Sequence, residues 1–286
     1  MEQGRIWTIG KILKWSEQYF AERGIDTPRL DAEVLLSHVL RVKRIQLYLR
    51  FEQPLDPPEL AAYREIVKRR AAHEPVAYIV GEKDFMMLPF RITPAVLVPQ
   101  PDTETLVGAV MDRLKGEEGE RVADIGTGSG AIALALLHYM PALRAAAVDI
   151  SANALAVAED NAAALGLKDR VVFHEGDLGA PLWRETFDAV VSNPPYIARG
   201  EFGNLPLEVL AEPRIAIDGG ADGLDFYRRL VKEVPPILKS GGFLAVEIGL
   251  GQGPAVQTLA REAGWEATET VKDLSGIERV IVMRRE

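Results

Sequence analysis

Five short apolar runs, at residues 122–125, 145–148, 171–173, 187–191 and 243–248, are separated from one another by stretches of helical length. Strands joined through a crossover helix run parallel, and a parallel sheet has to be covered on both faces. The spacing therefore predicts an α/β fold. The end of the chain follows another rule, because runs 267–271 and 278–283 are divided only by residues 272–277, too few for a crossover helix. These last two of seven strands are predicted to form an antiparallel pair.

The first 80 residues read as helices. Ile9, Ile12, Leu13, Tyr19 and Phe20 recur at helical spacing, and Thr27-Pro28 supplies an N-cap and a first-turn proline ahead of Leu30, Val34 and Leu35. Pro57-Pro58 restarts the pattern, with Leu60, Tyr63 and Val67 on one face and the basic run Lys68-Arg69-Arg70 at the end. A small helical bundle over 1–80 follows, its basic run read as a solvated helix end with favourable dipole charges. Between residues 85 and 98, apolar pieces separated by Pro89 and Thr93-Pro94 suggest a hairpin or extended linker over 81–100, leaving 101–286 as the main domain.

Composition removes several classes of chemistry. Without cysteine there is no disulfide, thiolate metal site, iron–sulfur cluster or cysteine nucleophile. His38, His73, His138 and His174 lack paired ligand spacing, the 218–225 acidic segment misses the calcium-loop pattern, and no metal is expected. Residues 1–80 carry 13 basic and 11 acidic side chains, whereas the remainder carries 20 and 31, a net −11 that opposes binding to a phosphate backbone. The longest apolar run, 131–150, is interrupted by His138, Pro141 and Arg144, so no membrane span is expected. The amino terminus, residues 1–5, carries an acidic residue and lacks the uninterrupted apolar core of a signal peptide, which makes the cytoplasm the expected location.

Two motifs carry chemistry. Asp124-Ile125-Gly126-Thr127-Gly128-Ser129-Gly130 follows the first strand of the parallel series and opens an apolar helix. Glycines there permit a tight turn and let backbone approach a ligand, and the helix N-terminus offers free N–H groups. Gly126, Gly128 and Ala131 also satisfy the dinucleotide fingerprint, and Asp149 at the end of the second strand suits a ribose hydroxyl in either reading. Asp177, after the third strand, can accept from an adenine amine while Leu178 packs on the ring. Together these residues suggest one pocket for an adenosine.

The second motif, Asn193-Pro194-Pro195-Tyr196, follows the fourth strand. Prolines have no N–H, so this loop presents carbonyl oxygens without competing donors and at fixed φ. If Asn193 Oδ1 and the Pro194 carbonyl converge, they can take both hydrogens of a planar NH₂ group while Tyr196 stacks on its face. An amide or amino-base nitrogen beside an adenosine pocket suggests methyl transfer from S-adenosylmethionine to nitrogen.

With these motifs the sequence resembles the class I S-adenosylmethionine-dependent methyltransferases, and among them the HemK/PrmC peptide chain release factor glutamine methyltransferases. The resemblance also runs through residues 75–82, 98–104, 219–227, 247–249 and 272–279. It implies the seven-stranded Rossmann-like sheet of that class with a small N-terminal helical bundle, and N5-methylation of the glutamine in the Gly-Gly-Gln tip of release factors, docked with help from that bundle. It further implies that Gly126, Thr127, Gly128, Ser129 and Gly130 cradle the methionine moiety, Asp149 the ribose, and Asp177 with Leu178 the adenine. Ile150 and Asn193 complete the cofactor-binding set. Asn193, Pro194, Pro195 and Tyr196 would bind the glutamine amide, with Asn193, Pro194 and Tyr196 as the catalytic set. One position departs from the family pattern: arginine usually stands where this chain has Gln100. A monomer without a nucleic-acid substrate is expected. An adenine-N6 enzyme, which would want a basic groove, and a non-catalytic scaffold, which would not need these residues together, are the alternatives.

Overall fold

A computed structural model describes residues 6–284, which divide into two compact units. One holds the described residues up to Gly81 together with Pro206–Ala211, and the other holds Glu82–Leu205 and the described residues from Glu212 onward. Residues 1–5, on which the reading against export rested, lie outside the described residues.

The first unit is helical: α1 (Ile9–Ala21), α2 (Pro28–Leu40), α3 (Arg44–Leu49), α4 (Pro57–Ala71) and α5 (Val76–Val80). In α1 the spacing of Ile9, Ile12, Leu13, Ser16 and Phe20 places all five on the buried face. α4 begins with a capping box, in which the Asp56 side chain accepts from Glu59 N and Glu59 accepts from Asp56 N, both at 2.8 Å. The Thr27 hydroxyl does not cap α2 but donates to Asp31 at 2.8 Å. Tyr63 ties three helices together at the centre, its buried hydroxyl lying 3.0 Å from Ser16 Oγ and 3.2 Å from the Ala32 carbonyl.

The basic run at the end of α4 is not a solvated helix end throughout. Arg70 stands seven residues after Tyr63, on the face that turns to the core, and is 2% exposed. A buried guanidinium needs partners, and Arg70 donates from Nε to Asp31 at 2.6 Å, from Nη1 to the Glu74 carbonyl at 3.1 Å, and from Nη2 to Glu208. Glu208 belongs to the short segment Pro206–Ala211 that clusters with this unit. Lys68 and Arg69 stay outside, paired with Glu65 and Glu74.

The second unit opens with a hairpin, β1 (Glu82–Phe85) and β2 (Leu88–Arg91). Its turn is Met86-Met87, both at positive φ, so the apolar run 85–88 is the hairpin's tip. The second apolar piece, 95–98, forms no strand. Next come α6 (Glu104–Met111), β3 (Arg121–Ile125), α7 (Ala131–Tyr139), β4 (Arg144–Asp149), α8 (Ala152–Ala164), β5 (Val171–Glu175) and β6 (Phe187–Ser192). After α9 (Leu207–Leu210), which clusters with the first unit, the second unit continues with α10 (Arg214–Ile217), α11 (Asp225–Glu233), β7 (Leu238–Glu247), α12 (Gly253–Glu262), β8 (Ala267–Lys272) and β9 (Glu278–Arg284).

The sheet has the order β5-β4-β3-β6-β7-β9-β8, parallel from β5 to β7, with β9 inserted antiparallel to both β7 and β8. This is the seven-stranded Rossmann-like sheet with an antiparallel end that the sequence resemblance implies. One face is covered by α11 and α12, where Tyr227, Leu230, Val256 and Trp265 are buried against the strands. The order reverses at β3, and the crevice outside the carboxyl ends of β3, β4 and β6 is where such a sheet binds ligands. No helix among the described residues is long and apolar enough to cross a membrane.

Candidate active site

The loop after β3 is built by backbone pairing to β4. Gly126 N and Thr127 N both donate to the Val148 carbonyl, at 2.8 and 2.9 Å, and Gly128 N donates to Asp149 Oδ2 at 2.8 Å. Gly126 and Gly128 have φ of +75° and +56°, and a Cβ built on either meets nothing within 4 Å. The loop therefore presents bare backbone to open space, a cradle that larger residues would fill. Thr127 and Ser129 turn the other way and are buried, as is Gly130 at the start of α7. The Thr127 hydroxyl donates to Asp124 at 2.7 Å, while burial pushes the Asp124 carboxyl up to about 6.

Asp149 uses its second oxygen to accept from Ser151 N at 2.9 Å, and the Ser151 hydroxyl caps α8. Asp177 is held by a two-pronged contact from Arg229, at 3.1 and 2.9 Å. Leu178 beside it sits at φ +49° and is buried.

The loop after β6 is anchored at both ends. The Ser192 hydroxyl donates to the Ile125 carbonyl at 2.7 Å, joining this loop to the glycine loop. Asn193 Nδ2 donates to Thr103 Oγ1 at 3.1 Å. At the far end the Tyr196 carbonyl accepts from Gln252 Nε2 at 3.0 Å, and Gln252 also reaches the Gly223 carbonyl and Gly249 N. The backbone crossing here is close: a Cβ on Gly219 would stand 2.7 Å from the Tyr196 carbonyl carbon, and one on Gly223 2.4 Å from its oxygen. Glycines at 219 and 223 let the second segment close over the loop.

Between these elements lies a cavity of about 280 Å³. It brings together Gly126, Gly128, Asp149, Ile150, Asp177, Leu178, Asn193, Pro194 and Pro195, and leaves Thr127, Ser129, Gly130 and Tyr196 outside its lining. The Tyr196 ring packs on the core beside Gly249, where burial pushes its phenol up to about 12. Sequence reasoning missed Ala95, Val96, Leu97, Phe226 and Arg229 in the lining. Residues 95–97 had a signal, an apolar run after Thr93-Pro94, but apolar runs do not say whether they face a core or a ligand.

Behind Asn193 lies a layer of polar residues from other segments. Arg279 on β9 pairs with Asp102 at 2.7 Å and Asp273 at 3.0 Å. Glu247 at the end of β7 is buried, which pushes its carboxyl up to about 7 against the lowering influence of the Thr103 and Asn193 side chains. The Gln100 side chain donates to the nearby Val98 carbonyl at 3.2 Å. Among the described residues no group of three or more acidic or histidine side chains could hold a metal ion.

The family model of the PrmC N-terminal domain matches residues 11–81, and that of the methyltransferase small domain matches residues 102–214. A release factor glutamine methyltransferase of Moorella thermoacetica is 46% identical over 279 residues, covering 97% of this chain and 99% of the relative. The chain belongs to the release factor glutamine methyltransferase family. A second member, from Geobacter sulfurreducens, is 44% identical and covers 98% of each chain. Among solved structures, the hMettl16 catalytic domain in complex with an RNA hairpin of the MAT2A 3'UTR has a TM-score of 0.59 at 18% identity, covering 77% of this chain and 82% of that one. A methyltransferase from Pyrococcus furiosus has a TM-score of 0.54 at 18% identity, covering 76% and 97%. These structures share the fold, and the family membership makes this chain a methyltransferase. In this methyltransferase, segments 98–104, 219–227, 247–249 and 272–279 are what brace the Asn193 loop from behind.

Proposed function

We propose that this methyltransferase transfers a methyl group from S-adenosylmethionine to the side-chain amide nitrogen N5 of the glutamine in the Gly-Gly-Gln motif of peptide chain release factors. The observation that carries this reading is the junction of two sites in one cavity. A glycine cradle with two carboxylates stands beside a proline-rigid loop whose Asn193 turns its Nδ2 back into the protein, leaving Oδ1 to accept. Bare backbone at Gly126 and Gly128 fits the methionine moiety, Asp149 fits the ribose hydroxyls, and the apolar surface of Ile150 and Leu178 with Asp177 fits the adenine.

S-adenosylmethionine, when bound, would supply an electrophilic methyl: the amide nitrogen bonds to it as the carbon–sulfur bond breaks, the electron pair stays on sulfur, and the nitrogen releases its proton to solvent after the transfer. An amide nitrogen is a poor nucleophile. Asn193 Oδ1 and the Pro194 carbonyl would accept its two hydrogens, which favours charge on nitrogen and fixes the line of attack. Pro195 stiffens the loop and Tyr196 anchors its far end. The helical unit of residues up to 80 would dock the protein substrate, and the segment 81–100, whose hairpin clusters with the sheet unit, would lead into the methyltransferase domain of 101–286. The enzyme acts as a monomer in the cytoplasm, and no metal or nucleic acid takes part.

The test is mass spectrometry of a purified release factor incubated with this protein and S-adenosylmethionine. One added methyl on the glutamine, absent when that glutamine is replaced, is the expected result. No added methyl on the release factor, with labelled methyl appearing on adenine in nucleic acid instead, overturns it.

A further inference from the structure

Three segments remote in sequence meet behind Asn193: the turn before α6, the end of β7 and the start of β9. Thr103, 4% exposed, accepts Asn193 Nδ2 at 3.1 Å. Glu247, 3% exposed, has the Thr103 and Asn193 side chains as hydrogen-bonding neighbours, while its Oε2 has no partner. An acid so far from water with an unpartnered oxygen is costly to keep, and nothing in cradling the cofactor uses it. Asp102, Arg279, Tyr196 and Tyr227 are the other charged or titratable groups acting on it or responding to it. Arg279 is already shared between Asp102 and Asp273, so it does not serve as a dedicated counter-ion for Glu247.

We infer that Glu247 is a positioning residue for methyl transfer, acting on Asn193 directly and through Thr103 to fix which end of the Asn193 amide faces the substrate. The inference rests on the reading that Asn193 Oδ1 receives the substrate amide. A carboxylate only accepts hydrogen bonds, so the single Thr103 proton goes to Glu247 and its lone pairs face Asn193. The amide must then turn Nδ2 inward and Oδ1 toward the cavity. A protonated Glu247 can instead donate to Thr103, freeing the Thr103 proton for Asn193 Oδ1. The amide then turns over and meets the substrate NH₂ donor to donor. Because burial pushes Glu247 up to about 7, this reversal falls near neutrality, and transfer strengthens as pH rises.

The experiment follows kcat for release-factor methylation from acid to alkaline pH in the wild type, Glu247→Gln, Thr103→Val and Thr103→Ser. It is paired with nitrogen-15 NMR of the Asn193 side-chain amide, assigned by its loss in Asn193→Ala. In the wild type, kcat rises through an acid limb near pH 7 and the Asn193 resonance titrates with it. Glu247→Gln, which offers both donor and acceptor, and Thr103→Val lose about 100-fold in kcat, and Glu247→Gln loses the limb. KM for S-adenosylmethionine is unchanged, and Thr103→Ser, which keeps the hydroxyl, restores the rate. An Asn193 resonance indifferent to pH and to both substitutions, or an intact acid limb in Glu247→Gln, overturns the inference. A wild type that leaves release factors unmethylated while the resonance still titrates through Glu247 removes the substrate reading and supports the relay.

Discussion

Asp124 and Glu247 are both acids buried at the site, and in each the loss of water outweighs the hydrogen bonds it receives. The consequence for stability has a definite sign. Glu247 titrates at 4.5 when exposed and at about 7 in the fold, so the folded state retains a proton that the unfolded state has released across that window. Stability is thus greater below the lower value and falls as pH rises through the upper one, by roughly 3 kcal/mol. Glu247→Gln removes that dependence, and urea unfolding is expected to show the variant gaining on the wild type between pH 5 and pH 8. An unchanged difference over that range contradicts a buried neutral Glu247. At Asn193, alanine removes the acceptor but leaves the glycine cradle in place. Turnover of Asn193→Ala should drop about 100-fold or more, with S-adenosylmethionine affinity by calorimetry close to wild type.

Elements hold these residues where chemistry needs them, and two substitutions test how. Arg70 joins α4 to α2 and to the Pro206–Ala211 segment through buried ion pairs. Removing one partner of a buried pair leaves the other charge stranded, so Arg70→Ala should cost about 3–5 kcal/mol in denaturant unfolding. Lys68→Ala, two residues away and exposed, should cost under about 1 kcal/mol. The neighbouring basic residues look alike in sequence, and only the 3.6-residue turn separates them. Gly219→Ala tests the loop crossing, because its methyl would stand 2.7 Å from Tyr196 backbone carbon. It should lower kcat for the amide substrate far more than it weakens cofactor binding, since the collision is with the Asn193–Tyr196 loop and not with the cradle.

For the whole molecule, the division into two compact units implies that the sheet unit contains the entire cavity, from residues 95–97 to Arg229. A ligand that binds only a folded unit stabilises that unit, by about 2.7 kcal/mol at a hundred times its Kd. Scanning calorimetry with S-adenosylhomocysteine should therefore raise the transition of the sheet unit. If unfolding resolves into two transitions, the helical one should stay nearly fixed. Equal shifts in two resolved transitions would show the units to be energetically coupled.

The sequence by itself determined the strand order's raw material, the two motif loops and the family. Apolar runs of strand length, a glycine loop between strand and helix, and a proline-fixed loop after a strand are all local patterns, set by backbone geometry within a few residues. Tertiary structure decided what those loops lean on. That Thr103 and Glu247 stand behind Asn193, that Arg70 finds Asp31 and Glu208, that 95–97 lines a cavity, and that Gly219 and Gly223 cross Tyr196 all depend on segments brought together from distant parts of the chain. The physical reason is burial: spacing along the chain says which face a residue shares, but whether a carboxylate or an apolar run on that face meets water, a partner or a ligand is settled by its neighbours in space.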